Sequence, residues 1–296
     1  MHKIVCGFLF LLALASGTHA DQIVYAKIPA HPALWTVHGP KGTAYLFGSV
    51  HLLPPQIDWR TKEIDIALSK SDTLVFELAM DDKFQERVQG YVKERGMLPD
   101  GQHLHDMLSP EAKKELDAEI AKLPVSPVAI DRMRPWMADL TMEIMGMTKQ
   151  NFSPSSGVDV QIRASEPDKP VIGLETVEQQ MALLAPSDPK VELQAFEASL
   201  KTSGAASAKE EMGPLLDAWM HGRMDRLASL TKKDFQQYPE ARKALFDDRN
   251  AAWVKKIAAL LDEPETYFIT VGAGHLAGPR GVPALLRAKG FKVEGP

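Results

Sequence analysis

Four short apolar runs along the chain each end in a polar group that a core strand does not ordinarily carry. Residues 45–47 lead through Gly48 to His51, residues 73–78 (TLVFEL) carry Glu77, residues 170–174 (PVIGL) are closed by Glu175, and residues 267–271 lead through Gly272 to His275. Continuous β-prone runs of this length predict buried strands. Residues 34–37 and 43–47 flank the turn sequence HGPKG and predict a β-hairpin that delivers His51. Elsewhere the spacing is helical. Residues 59–69, with Ile64, Ile66, Ala67 and Leu68 apolar, predict one helix, and Ser109-Pro110-Glu111 has the cap, first-position proline and early acid that start another. Met133, Met137, Leu140, Ile144 and Met147 fall on one helical face and read as a core stripe. Residues 180–261 are mostly helical and end in a long amphipathic helix over 241–261, and a short helix over 282–288 and a strand over 291–294 close the chain. The pattern predicts an α/β (α+β) fold. A central mixed sheet is flanked by helices, and residues 81–150 form a helical insertion packed over it.

The first and last runs share more than their endings. Tyr45 to Pro55 reads YLFGSVHLLPP and Val271 to Pro279 reads VGAGHLAGP, so both contain GxxHLxxP. In each copy a strand feeds a glycine, and the histidine follows three residues later. Glycine lets the backbone approach a ligand or a neighbour where a side chain would collide. A single buried histidine is adequately explained by a backbone carbonyl partner. Two copies of one pattern at opposite ends of the chain point to a shared task.

Composition narrows where that task is performed. The chain opens MHKIVCGFLFLLALASGTHA, a basic start, an apolar run too short to span a bilayer and a small-residue end, which predicts an export signal over residues 1–20 and one mature unit over 21–296. The protein is therefore expected outside the cytoplasm, periplasmic or secreted. Its only cysteine, Cys6, lies in that apolar run, so disulfides and thiolate metal sites are not expected in the mature chain. A formal net charge of −5 and the lack of a basic stretch argue against nucleic-acid partners. His103 and His105 sit in a polar loop ahead of a capped helix, without a carboxylate at ligand spacing, and are not read as a metal pair.

In open α/β sheets the carboxyl ends of the strands form the ligand crevice, so His51, Glu77, Glu175 and His275 are expected to converge. Two imidazoles and one or two carboxylates suit a divalent ion with an open position for water. The same groups also suit metal-free acid–base chemistry. Asp159, near the start of a short helix in SPSSGVDVQI, reads equally as a helix N-terminal acid or as a positioning group. Arg249, in RNAAW, reads as a solvated helix charge or as a partner for a carboxylate.

Taken in order, LWTVHGPKGTAYLFGSVHLLP, TLVFEL, SSGVDVQI, IGLETVEQQ, LFDDRNAAWVKKI and FITVGAGHLAGPRGVPALLRAKGFKV resemble the TraB/PrgY/GumN family, to which the Tiki metalloproteases are related. The resemblance covers nearly the whole mature chain and implies a fold like that of the erythromycin-esterase and haem-binding ChaN proteins. Through the Tiki relatives it implies a metal-dependent peptidase, with His51, Glu77 and His275 as ligands of a divalent ion such as Mn, Co or Zn. Glu175, Asp159 and Arg249 match further recurrent positions and are expected in catalysis, Glu175 as general base or as a partner of the ligands. The leading expectation is an exported metal-dependent hydrolase acting on a peptide or other amide. The alternatives are a non-catalytic binding protein for peptide, haem or metal, and an accessory factor in polysaccharide export.

Overall fold

The computed structural model describes residues 26–185, 188–202 and 208–296; the expected export signal over residues 1–20 lies outside them. Eight strands form, β1 (Ile28–Pro29), β2 (Leu34–His38), β3 (Thr43–Ser49), β4 (Ile57–Asp58), β5 (Thr73–Leu78), β6 (Val171–Glu175), β7 (Thr266–Gly272) and β8 (Lys292–Glu294). Six make the main sheet in the order β6-β5-β7-β3-β2-β8, while β1 and β4 pair separately. Strands β6, β5, β7 and β3 run parallel, whereas β2 is antiparallel to both β3 and β8. The mixed sheet flanked by helices agrees with the sequence pattern, and so does the hairpin, with Leu34 opposite Phe47 and His38 opposite Thr43.

The parallel strands are apolar on both sides because helices cover both faces. On one face Phe47, Phe76 and Phe268 pack with Trp59, Trp219 and the helix Lys62–Lys70. On the other, Leu46, Val75, Ile269 and Val271 pack with Trp253, Ile257 and Leu286 from the helices Asp248–Leu260 and Val282–Ala288. Every residue of β5 is buried, Glu77 included. The 170–174 run differs from expectation. It forms the sheet's outer strand β6, and only Leu174 is fully buried, because no strand covers its far side.

The helical insertion is present, but its core is completed from outside it. Leu104, Leu116 and Met142 pack against Phe196 and Leu200 of the helix Pro189–Thr202, while Leu52 of the first histidine loop joins Trp136 and Met147. The expected cap at Ser109 forms, its hydroxyl accepting from the Ala112 amide at 3.3 Å. Carboxylates that spacing did not reveal do reach the exposed histidine loop, with His103 2.8 Å from Asp131 and His105 3.4 Å from Asp117. No helix among the described residues is long and apolar enough to cross a membrane.

The expected long helix over 241–261 is interrupted. A π-turn over Lys243–Asp247 precedes Asp248–Leu260, and such turns widen the spiral by one residue. It brings Phe246 to 5.0 Å from the His275 ring, while Arg249, Asn250 and Trp253 project from the following helix toward the same strand ends.

Candidate functional site

The parallel register sets the site's floor. Pairing of β3 with β7 puts Ser49 opposite Gly272, so both histidine loops leave the sheet at one edge. Pairing of β5 with β6 brings Leu78 opposite Glu175 at that same edge. Gly272 lies where the groups meet. A methyl group built on it would stand 3.2 Å from Glu77 Oε1, 3.5 Å from His275 Cδ2 and 3.8 Å from His51 Nε2. Groups more than two hundred residues apart in sequence thus surround one backbone position.

His51 is held by Asp159. Its Nδ1 lies 2.5 Å from Asp159 Oδ2, and both side chains are buried. The helix Val158–Ser165 that carries Asp159 is anchored to the histidine loop by its first amide, Val158 N to Val50 O at 3.1 Å. Gly157 makes this closeness possible, because a Cβ there would sit 2.2 Å from the His51 carbonyl oxygen. Asp159 is therefore both an acid in a helix's first turn and the orienting partner of a histidine. Burial alone would lower the pKa of His51, but attraction to Asp159 and the hydrogen bond to it outweigh burial, and the pKa stands above 6.5.

His275 has the opposite electrostatic setting. It is fully buried against Trp253, with ring centroids 4.3 Å apart. Its Nδ1 is 2.6 Å from Asn250 Oδ1, and the Asn250 amide nitrogen donates to Arg280 O at 2.9 Å, which orients that amide. Nδ1 is accordingly the protonated nitrogen in this assignment, and Nε2 presents its lone pair to Arg249 NH1 at 3.1 Å. Burial first, then the neighbouring Arg249 and His51, hold the His275 pKa well below 6.5. His275 is neutral across the physiological range.

Arg249 is the hub. Its Nε and NH2 donate to the two oxygens of Glu175 at 2.8 and 2.9 Å, and NH2 also donates to Glu77 Oε2 at 2.6 Å. The guanidinium lies over the Trp253 ring, 4.6 Å from its centroid, and Trp253 Nε1 donates to Glu175 Oε1 at 2.9 Å. Glu77 takes two more bonds, from Gly272 N at 2.7 Å and Gln180 Nε2 at 2.7 Å. The cost of a carboxylate in a core strand is thus offset by a cation and two donors.

All six residues expected from the sequence belong to this cluster, His51, Glu77, Asp159, Glu175, Arg249 and His275. Asn250, Gln180 and Trp253 were not anticipated. Trp253 had a usable signal, since it follows Arg249 by four residues and shares its helix face. Asn250 and Gln180 act through tertiary contacts that spacing does not encode.

A niche of ≈ 10 Å³ opens between His51, Glu77, Asp159 and Gln180. That is about the room one water needs, with polar groups on several sides. A larger apolar cleft of ≈ 60 Å³ also borders His51. The resemblance-derived divalent ion fits this arrangement poorly. Among the described residues no group of three or more His, Asp or Glu is disposed to hold a metal. The reason is chemical. The lone pair of His275 Nε2 and one oxygen of Glu77 already face the Arg249 guanidinium, so a second cation would meet a positive charge in place of free donors.

Gly272→Ala tests the convergence directly. The added methyl would press on Glu77 Oε1 and come into contact with both histidines. The backbone there needs no left-handed conformation, so the fold is expected to survive. Melting temperature should change by only a few degrees, while any His51-dependent turnover falls by about 10²-fold through misplacement of the reacting groups. Unchanged turnover would remove Gly272 from the centre of the site.

The sequence model of the TraB/PrgY/gumN family matches residues 33–295, which includes every residue of this cluster. An uncharacterized protein of Treponema pallidum (strain Nichols) is 20% identical over 300 residues, covering 96% of this chain and 90% of the relative. The uncharacterized protein YbaP of Shigella flexneri is 24% identical over 253 residues, covering 82% and 88% of the two chains. YbaP of Escherichia coli (strain K12) is 24% identical over 252 residues, with 82% and 87% covered.

Proposed function

The chain belongs to the TraB/PrgY/gumN family, and from that premise we propose that it is a hydrolase of amide or ester bonds whose general base is His51. The observation that carries the proposal is the buried His51–Asp159 pair at 2.5 Å beside a water-sized niche bordered by Glu77. Asp159 holds Nδ1 as the protonated nitrogen and directs Nε2 toward the reaction space. His51 takes a proton from a water as its oxygen adds to the substrate carbonyl. The imidazolium then returns that proton to the leaving nitrogen or oxygen, giving a carboxylic acid and an amine or alcohol. Glu77 orients the water. Arg249, Glu175, Asn250 and His275 are positioning residues that hold Glu77 and the second histidine loop. The role proposed for Glu175 is counter-ion of Arg249 and not base, since its oxygens already accept from Arg249 and Trp253. The proposal includes export before the activity is exercised, a reading supported by the leader-like sequence of residues 1–20.

The test is a pH–rate profile on ester and peptide substrates, with elemental analysis of the same preparation. A base must be neutral to act, and the His51 pKa lies above 6.5. Turnover should therefore rise with pH through a midpoint above 6.5. In Asp159→Asn the carboxylate that raises the pKa is gone, so the midpoint should move down and the plateau fall. The linkage has the matching sign. Stability from the His51–Asp159 pair is fully present below 6.5 and is lost as pH rises through the folded-state pKa. A stoichiometric divalent ion, with turnover abolished by chelator, would replace this reading with the metal-dependent one. Ligand binding that depends on both histidines, without turnover of any substrate, would replace it with the binding-protein reading.

A further inference from the structure

The apolar cleft beside His51 has features that the proposed acid–base groups do not use. It is walled by Leu52, Phe152, Leu216, Trp219 and Leu227, which come from four separate helical or loop segments at one end of β3. His51 borders both this cleft and the water-sized niche.

We infer that this cleft, which borders His51, is the subsite for a short aliphatic acyl chain or side chain of the substrate. The inference rests on the reading of His51 as the reacting centre, but it concerns which substrate reaches it. The size of the cleft sets the class. At about 10–15 Å³ per water on the same measure, ≈ 60 Å³ corresponds to a chain of roughly four carbons. A cavity of about 150 Å³ is the scale that admits benzene, so an aromatic ring should be rejected. The favoured substrates are amides or esters of a butyryl- to isohexanoyl-sized group, including peptides that present a leucine-like side chain.

Binding is measured first, without turnover, by NMR titration of the purified protein with acetamide, butyramide, 4-methylpentanamide, octanamide and benzamide. Affinity should rise about fourfold per added methylene up to four or five carbons. It should then level or fall, with benzamide weaker than butyramide. Leu216→Trp fills the cleft and should erase this dependence. Leu216→Ala should shift the optimum to a chain about two carbons longer, and it serves if the larger residue is not accommodated. Affinity independent of chain length in the wild type overturns the inference, even if hydrolysis is found. Chain-length-dependent binding in a protein that hydrolyses nothing upholds the subsite and removes the hydrolase.

Discussion

Arg249→Met will destabilise the folded protein by about 3–5 kcal/mol, because it leaves Glu77 and Glu175 buried without their shared cation. Both carboxylates and the arginine are nearly inaccessible to water, at 4%, 10% and 7% exposure. Water can therefore do little to screen the charges left behind. Against a total stability of about 5–15 kcal/mol for an ordinary domain, the loss is large enough to unfold part of the population. Arg249→Lys is expected to recover only part of it, since one ammonium cannot reproduce the fork that meets both oxygens of Glu175 and one of Glu77. The informative control is the triple variant Arg249→Met, Glu77→Gln, Glu175→Gln. With neither the cation nor its two carboxylate partners left, its urea midpoint should return toward that of the wild type while turnover stays absent. If Arg249→Met alone unfolds at the wild-type midpoint, the buried network has no structural role.

His51→Gln will lower turnover by about 10²–10⁴-fold with little change in stability. The amide can still fill the space and hydrogen-bond to Asp159, but it cannot take a proton near neutral pH. The corresponding change on the second loop should behave differently. His275→Gln alters a fully buried ring packed at a tilt against both Trp253 and Phe246, so its first effect is on packing and melting temperature. It should lower turnover indirectly, by loosening Arg249 and with it Glu77. Side-by-side melting curves and turnover on one substrate separate the two histidines. Equal losses of activity at equal stability would mean that both act on substrate.

Much of this site is legible in the sequence because strand ends are local events. An apolar run closed by Glu or His is visible without knowing its neighbours, and the repeated GxxHLxxP ties the two ends of the chain together. What each group faces is a tertiary matter. Asp159 meets His51 across 108 positions and Arg249 meets Glu77 across 172, separations over which no periodicity speaks. The choice between ligand and counter-ion for Glu77 therefore could not be read from spacing. The π-turn over Lys243–Asp247 was equally hidden, since its residues have ordinary helical character and its contact of Phe246 with His275 is tertiary. Strand β6 reads as buried for a related reason: Val171, Ile172 and Leu174 are apolar, yet a sheet's rim is decided by which strands it lacks beside it.

Strand β7 lies between β5 and β3 and carries the second histidine loop, although it is encoded near the end of the chain. It works as a keystone. Until it arrives, β5 and β3 have no strand between them, so the sheet exists only as two unconnected halves. A chain made from its first residue onward holds those halves open until residues past 266 emerge. Nascent, stalled or C-terminally clipped forms consequently lack both the central ladder and one side of the site. Each also presents two raw sheet edges that invite pairing with other chains. Closing the sheet and assembling the cluster of His51, Glu77 and His275 are thereby the same event.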